Sequence, residues 1–334
     1  MCTTVTMHTT NQHHFLARNM DFVDLPIDYD VVVLPRRYRW LNQQENRYIT
    51  NRYGIIGMGV EGENTHIGLF DGMNEHGLMG VIHYFEGFAE FQTEKQRNRL
   101  NLAANDLLLF ILSQFTSTSQ ITQQIRNINL IAQEIEFLGT VPPIHWIFTD
   151  RQYNTIVIES TKDGVNVYNN PIGAFSNSPD FRWHLINLNL YTSLSPSDPG
   201  ETIWGDYNLV RSPEMVSGVY GIPGDYSSPS RFVRAAYLRN HIEEAETELD
   251  GLRNAMKVLE YCAVARGAEL EDNQPSYTLY TSAMCSESET YYYQTYNNMQ
   301  INAVQLSNED LDAQDVKHFP ISQEQSIFYQ NRTK

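Results

Sequence analysis

What most constrains the fold of this chain is a two-residue alternation of β-branched and apolar residues that recurs at both of its ends. The N-terminal run CTTVTMHTT is rich in β-branched residues, five threonines and a valine, which suit a pleated, half-buried surface. Similar short runs follow at HHFLARN, YDVVVLP, GIIGMGV and GLMGVIHYF, and again near the C-terminus at SYTLYTSAM, TYYYQTY and QINAVQL. These runs predict strands. The middle of the chain changes character. NLAANDLLLFILSQF and TSTSQITQQIRNINLI predict two helices, and SPDFRWHLINLNLY predicts a third after a Ser-Pro cap. SSPSRFVRAAYLRNHIEEAETE predicts a fourth helix, with Ser228 at the N-cap and Pro229 in the first helical position. LRNAMKVLEYCAV predicts a fifth, IHWIFTD, NTIVIES and VNVYNN return to strand, and SLSPSDPGETIWGDYN reads as a polar loop. Strand-rich flanks around helical segments predict one α+β domain whose first and last strands can share a sheet. No linker, repeat or low-complexity tract divides it.

The 334 residues, 41% of them hydrophobic, can bury a sizeable core. A net charge of −17 repels phosphate backbones and anionic lipid surfaces, which excludes general nucleic-acid binding and membrane docking. The longest apolar stretch, LLLFIL at 107–112, is far too short to span a bilayer. The polar N-terminus predicts no secretory signal. The three cysteines, Cys2, Cys262 and Cys285, are too few and too widely spaced for a disulfide framework, so a reducing cytoplasm is expected.

Cys2 directly follows the initiator Met. Two readings stand side by side. One is a buried thiol on a first strand. The other is a nucleophile: trimming of Met1 places a thiol and a free α-amine on one residue. An α-amine titrates at about 7.7–8.0, far below a lysine at about 10.4, so such a residue carries its own proton acceptor. Downstream, LARNMDF offers Arg18, which favours a neighbouring thiolate, and Asp21, which can accept from the amine; the alternative is an ion pair at a strand end. Asn177 in AFSNSPDF can donate to an oxyanion or serve a turn. Arg231 falls in the first turn of the fourth helix, the unfavourable end of the helix dipole for a cation, which hints at an anionic partner. The histidines show no zinc spacing, so no metal or cofactor is expected. GIIGMGVEG matches no phosphate-binding fingerprint.

In order and spacing, MCT, ARNMDF, DGMNEHGLMG, HWIFTD, FSNSPDF, GIPGDYSSPSRFVRAAY and YTLYTSAMC followed by YYYQTYNN resemble the choloylglycine hydrolase family, the conjugated bile salt hydrolases and penicillin V acylases. The likeness runs over nearly the whole chain, 2–334. It implies an N-terminal nucleophile hydrolase with a four-layer αββα fold, a homotetramer, and a small-molecule amide substrate. It also implies Cys2 as nucleophile once Met1 is removed, flanked by Arg18 and Asp21, with Asp21 holding the amine, Asn177 donating to the oxyanion and Arg231 completing the polar site. The backbone N–H of Tyr84 is the implied second oxyanion donor. Bile salt hydrolases typically carry Asn at that position and penicillin V acylases Tyr. An aromatic ring suits a phenoxyacetyl group, so penicillin V is the expected substrate. Conjugated bile salts are the alternative, with acyl-homoserine lactones a third possibility and an inactive binding protein of the same fold the non-enzyme one. NLVRSPEMVSGVYGIPGD is bulkier than the Gly-rich run usual before this segment, which bears on tetramer geometry and site access.

Overall fold

A computed structural model describes residues 1–61, 66–197, 200–209 and 217–331. Fifteen strands build two large antiparallel sheets. In chain order they are β1 (Cys2–His8), β2 (His14–Phe22), β3 (Asp30–Leu34), β4 (Ile55–Glu61), β5 (Ile67–Asn74), β6 (Met79–Tyr84), β7 (Ile144–Thr149), β8 (Thr155–Thr161), β9 (Gly164–Asn169) and β10 (Ala174–Phe175), then β11 (Glu269–Glu271), β12 (Gln274–Cys285), β13 (Thr290–Thr295), β14 (Asn302–Gln305) and β15 (Lys317–Pro320). One sheet has the order β10-β1-β2-β12-β13-β14, with β11 paired to β12; the other runs β9-β8-β7-β6-β5-β4-β3-β15. The first and last parts of the chain do share a sheet: β2 lies between β1 and β12.

Among the described residues the α-helices are α1 (Leu107–Gln114), α2 (Thr118–Gln124), α3 (Phe181–Asn187), α4 (Ser228–His241) and α5 (Glu248–Glu260). One buried cluster joins both sheets to α4 and α5, through Val5 and Ala17, Met73 and Val81, Phe232 and Leu259. A second cluster lies on the other side of the second sheet, where Leu108 and Leu112 of α1 cover Leu69, Trp146 and Phe148. The layers are therefore helix, sheet, sheet, helix, an αββα sandwich in which each sheet buries both faces. That explains why β1 and β2 are buried almost throughout instead of alternating in and out.

Several elements differ from the sequence reading. The first two helices are shorter than their composition suggests. Residues 101–103 and Ile128–Ile131 leave the helical stretches, and Leu100–Ala103 pairs with Ile128–Ile131 as a parallel two-stranded sheet. Helix propensity is local and cannot register a partner strand so distant in sequence. The loop before residue 210 contains a hairpin, Thr202–Trp204 with Tyr207–Leu209. The cap of α4 is Ser227, one residue earlier than expected, and its hydroxyl bonds to Ser230 Oγ at 3.0 Å. Residues 210–216 of the NLVRSPEMVSGVYGIPGD stretch lie outside the described residues. The glycines of GIIGMGV have a steric purpose: Gly57 of β4 pairs with Gly72 of β5. A Cβ on Gly57 would stand 2.2 Å from the Asp71 carbonyl oxygen, so only glycine lets these strands approach.

Candidate active site

β2 is buried at every residue, yet it carries Arg18, Asn19 and Asp21. Charges on a central buried strand are costly unless paired, and here each has a built partner. Cys2 opens β1 opposite Met20, with its side chain almost wholly buried. Arg18 Nη2 donates to Cys2 Sγ at 2.7 Å and contacts Met20 Sδ at 2.9 Å. Its Nη1 donates to the Phe70 carbonyl at 3.4 Å and faces Asp71 Oδ2 at 3.5 Å. Asp71 also accepts from the hydroxyls of Tyr280 (2.7 Å), Tyr291 (2.5 Å) and Ser282 (3.4 Å). Burial would lower the Arg18 pKa, but Cys2, Tyr280 and Asp71 reverse it to a net rise. Burial, reinforced by Asp71, raises Tyr280 and Tyr291 well above the ordinary phenol range. The guanidinium thus stays charged and the phenols stay donors.

A second set of bonds fixes the backbone of Cys2. Its N–H donates to Asn177 Oδ1 at 2.6 Å, and Arg231 Nη2 donates to the same oxygen at 2.9 Å. Arg231 Nη1 donates to the Cys2 carbonyl and, at 2.7 Å, to Thr3 Oγ1, while Nε donates to the Tyr226 carbonyl at 2.8 Å. The anionic partner expected for Arg231 is present only at the edge of contact, Asp21 Oδ2 at 3.9 Å. Its direct bonds are to neutral oxygens, and it clamps the first residues of β1. Thr278 Oγ1 donates to Asp21 Oδ1 at 2.6 Å; a register shift between Thr278 and Tyr280 sets Thr278 opposite Asp21. Asp21 Oδ2 is buried with no hydrogen-bond partner. With Met1 in place, the α-amine lies on the Asp21 backbone carbonyl, and the nitrogen of Cys2 is a peptide nitrogen.

Asn177 Nδ2 donates to the Tyr84 carbonyl at 2.9 Å, and among the described residues its second hydrogen has no protein partner. Tyr84 ends β6. Phe85 N–H bonds to the Pro143 carbonyl at 2.7 Å, and bonding alternates along an antiparallel pair, so the Tyr84 N–H turns away from β7. On its other side the β5–β6 ladder stops at Asp71 and Val81. The divergence of these strands opens an apolar pocket of about 780 Å³, its mouth included, with Cys2 and Arg18 at its polar end. Phe22, Leu69, Phe70, Ile82, Leu138 and Ile144 form much of the wall. Tyr84 lines it with its ring 5.2 Å from that of Phe22. Asn105 also lines it, and its Oδ1 is buried without a partner.

All six candidate residues, Cys2, Arg18, Asp21, Tyr84, Asn177 and Arg231, come together at this one place. Of the other two thiols, Cys262 lies behind the site with its Sγ 3.7 Å from the Arg231 carbonyl, and neither lines the apolar pocket. Burial pushes Cys262 up to about 11 and Cys285 up to about 12. The sequence reading missed Asp71, whose one signal was an acid inside the apolar run GLFDGMN. It also missed a buried polar chain behind the site. His83 bonds to Thr4 Oγ1 at 2.7 Å and to the Ser176 carbonyl at 3.1 Å; His145 meets the same carbonyl at 3.1 Å and Glu159 Oε1 at 3.2 Å. A carbonyl only accepts, so His145 carries its proton on Nε2, and its Nδ1 accepts from Glu159. Burial pushes Glu159 up to about 8 and His145 down to about 3, which matches a protonated acid facing a neutral imidazole. Among the described residues, no group of three or more His, Cys, Asp or Glu is placed to hold a metal ion, and no helix is long and apolar enough to cross a membrane.

The profile of the linear amide C–N hydrolases, choloylglycine hydrolase family, matches residues 2–319. A bile salt hydrolase/transferase from Clostridium perfringens is 31% identical, covering 99% of this chain and 100% of that protein. The structure of variant R18L of conjugated bile acid hydrolase from the same organism superposes with a TM-score of 0.90 at 30% identity, over 99% of this chain and 100% of that one. Penicillin V acylase from Agrobacterium tumefaciens has the same fold, with a TM-score of 0.74 at 17% identity, over 96% of this chain and 91% of that one.

Proposed function

Because the chain belongs to the choloylglycine hydrolase family of linear amide C–N hydrolases, we propose that it is a cysteine amidase acting on amides of bulky, hydroxylated apolar acids, the conjugated bile salts. The observation that carries the reading is the buried Cys2 thiol, 2.7 Å from Arg18, at the end of a pocket walled by apolar side chains. Removal of Met1 frees the Cys2 amine, whose extra hydrogens then have Asn177 Oδ1 and the unpartnered Asp21 Oδ2 beside them. The thiol, held by Arg18, attacks the amide carbonyl. The Tyr84 N–H and the second hydrogen of Asn177 Nδ2 stabilise the oxyanion. The C–N bond breaks, the α-amine passes its proton to the leaving amine, and water then releases the acid from the thioester. Arg231 positions Cys2 and Asn177 without touching substrate.

The sequence-level preference for penicillin V gives way here. Relatives about 30% identical over the full chain are bile salt hydrolases, whereas the penicillin V acylase likeness is one of fold. Asn105 Oδ1, unpartnered in the pocket, suits a hydroxyl that bile acids carry and phenoxyacetate lacks. Penicillin V remains the second reading on the strength of the Tyr84 ring. The reading includes one domain over 2–334 and a cytoplasmic setting, supported by three free thiols. It also includes a homotetramer, for which exposed Ile203, Trp204 and Tyr207 supply apolar surface. Mass analysis of the purified protein, then kcat/KM on glycocholate and penicillin V, tests it. Loss of Met1 and faster glycocholate cleavage are expected. Retained Met1 in active enzyme refutes the mechanism, and faster penicillin V cleavage refutes the substrate.

A further inference from the structure

A second pocket adjoins the first across Met1 and Tyr84, which line both. Asn177, the acceptor for the Cys2 nitrogen, lines it too. Its chemistry is opposite to that of the apolar pocket. Glu86, Glu269 and Glu271 bring three carboxyl groups to its wall, with no lysine or arginine among the described residues that line it. None of the three takes part in an ion pair among the described residues. Two buried acceptors face no protein donor. Ser276, 1% exposed, leaves its Oγ without a hydrogen-bond partner, and so does Glu269 at Oε2. Both residues line this pocket. A nearly fully buried, unpartnered hydroxyl in a cleft is a group awaiting a ligand. The Arg231 guanidinium is committed to Tyr226, Cys2, Thr3 and Asn177.

An acyl group in the apolar pocket, attacked by Cys2, leaves this acidic cleft for the amine half of the substrate. Resting on the amidase reading above, we propose that this cleft is the leaving-amine subsite and that it selects amides of cationic or neutral, donor-rich amines over amides of anionic ones. Glycine and taurine conjugates, substrates in the reading above, carry an anion on the amine half and so meet the acidic wall of Glu86, Glu269 and Glu271, which makes them slower than uncharged or cationic amides of the same acid. A diamine amide instead presents an ammonium, whose hydrogens Ser276 Oγ and Glu269 Oε2 can accept. The energy is electrostatic and partly solvent-exposed, so it weakens with salt.

The test compares kcat/KM of the Met1-free enzyme on three amides of one acid: glycocholate, cholyl-glycinamide and the cholyl amide of ethylenediamine. The first two differ by a single charge. Cholyl-glycinamide should exceed glycocholate about tenfold, equivalent to about 1.4 kcal/mol, and the ethylenediamine amide should exceed both. The double variant Glu86→Gln/Glu271→Gln should compress the series to within about threefold. Ser276→Ala should lower turnover of the ethylenediamine amide more than that of glycocholate. Glycocholate equal to or faster than cholyl-glycinamide overturns the proposal while leaving the amidase reading intact. An unchanged spread in the double variant also overturns it. No turnover of any of the three overturns the amidase reading and this one with it.

Discussion

Asp71→Asn tests the idea that Arg18 is held on the thiol from behind. Arg18 Nη1 and Asp71 Oδ2 are 3.5 Å apart, and both side chains are fully buried. At an effective dielectric of about 20, unit charges at that separation attract by about 5 kcal/mol. Asparagine has one acceptor oxygen where Asp71 offers two, Oδ2 to Tyr280 and Oδ1 to Tyr291, and it leaves a buried guanidinium without its counter-charge, a cut that costs about 3–5 kcal/mol in comparable pairs. Because one of the two phenols also loses its acceptor, the upper end is expected, about 5 kcal/mol off the unfolding free energy in urea. A purely structural loss would stop there. If Asp71 positions Arg18, alkylation of Cys2 by iodoacetamide at neutral pH should slow as well, because Arg18 no longer donates to Cys2 Sγ. In a double-mutant cycle with Arg18→Met, removing both charges should restore much of the stability lost by removing one. A variant within about 0.5 kcal/mol of the parent, the spread of an ordinary surface change, with unchanged alkylation would refute the argument.

Other expectations follow from the same packing. Gly57→Ala drives a Cβ to 2.2 Å from the Asp71 carbonyl, so thermal unfolding should show a loss of about 1–3 kcal/mol; a neutral result would mean that β4 and β5 can part freely. Glu159, raised from 4.5 to about 8 by burial, holds a proton in the folded chain that the unfolded chain releases above pH 4.5. Stability from this group is therefore complete below pH 4.5 and lost as pH rises to about 8. Glu159→Gln keeps a donor to His145 and should flatten that slope, read by urea unfolding at pH 5 and pH 8.5; parallel slopes would mean that the acid is already ionised. Asn177→Ala should lower kcat by about 10²–10³. Tyr84→Phe should leave kcat unaltered because the donor is the backbone, and a large fall would assign the phenol a chemical role.

Much of the site is legible in the sequence because its residues sit in short motifs that carry their own chemistry. Cys2 beside the initiator Met, Arg18 and Asp21 three residues apart, and Arg231 at the wrong end of a helix are each anomalies that can be read in place. Asp71 is legible only as an acid in an apolar strand, because its meaning lies in Arg18, Tyr280 and Tyr291, far away in the chain. Glu159 likewise looks like an ordinary strand acid until His145 and the Phe181 N–H are set on its Oε1.

The sequence by itself determined the strand-rich ends, the α+β class and the identity of the candidate nucleophile, because alternation, capping and the chemistry of an N-terminal cysteine are local properties. Only the tertiary structure decided that Arg231 grips the Cys2 backbone and Asn177, where the sequence pointed to an anion. The same is true of residues 101–103 and Ile128–Ile131, which abandon helices to pair as strands. Tertiary structure also decided what faces Cys2 on either side. β5 and β6 part after Asp71 and Val81 to open an apolar pocket, while β11 brings Glu269 and Glu271 to the other flank. Those are juxtapositions between distant segments, fixed by sheet order and register, and no local pattern encodes them.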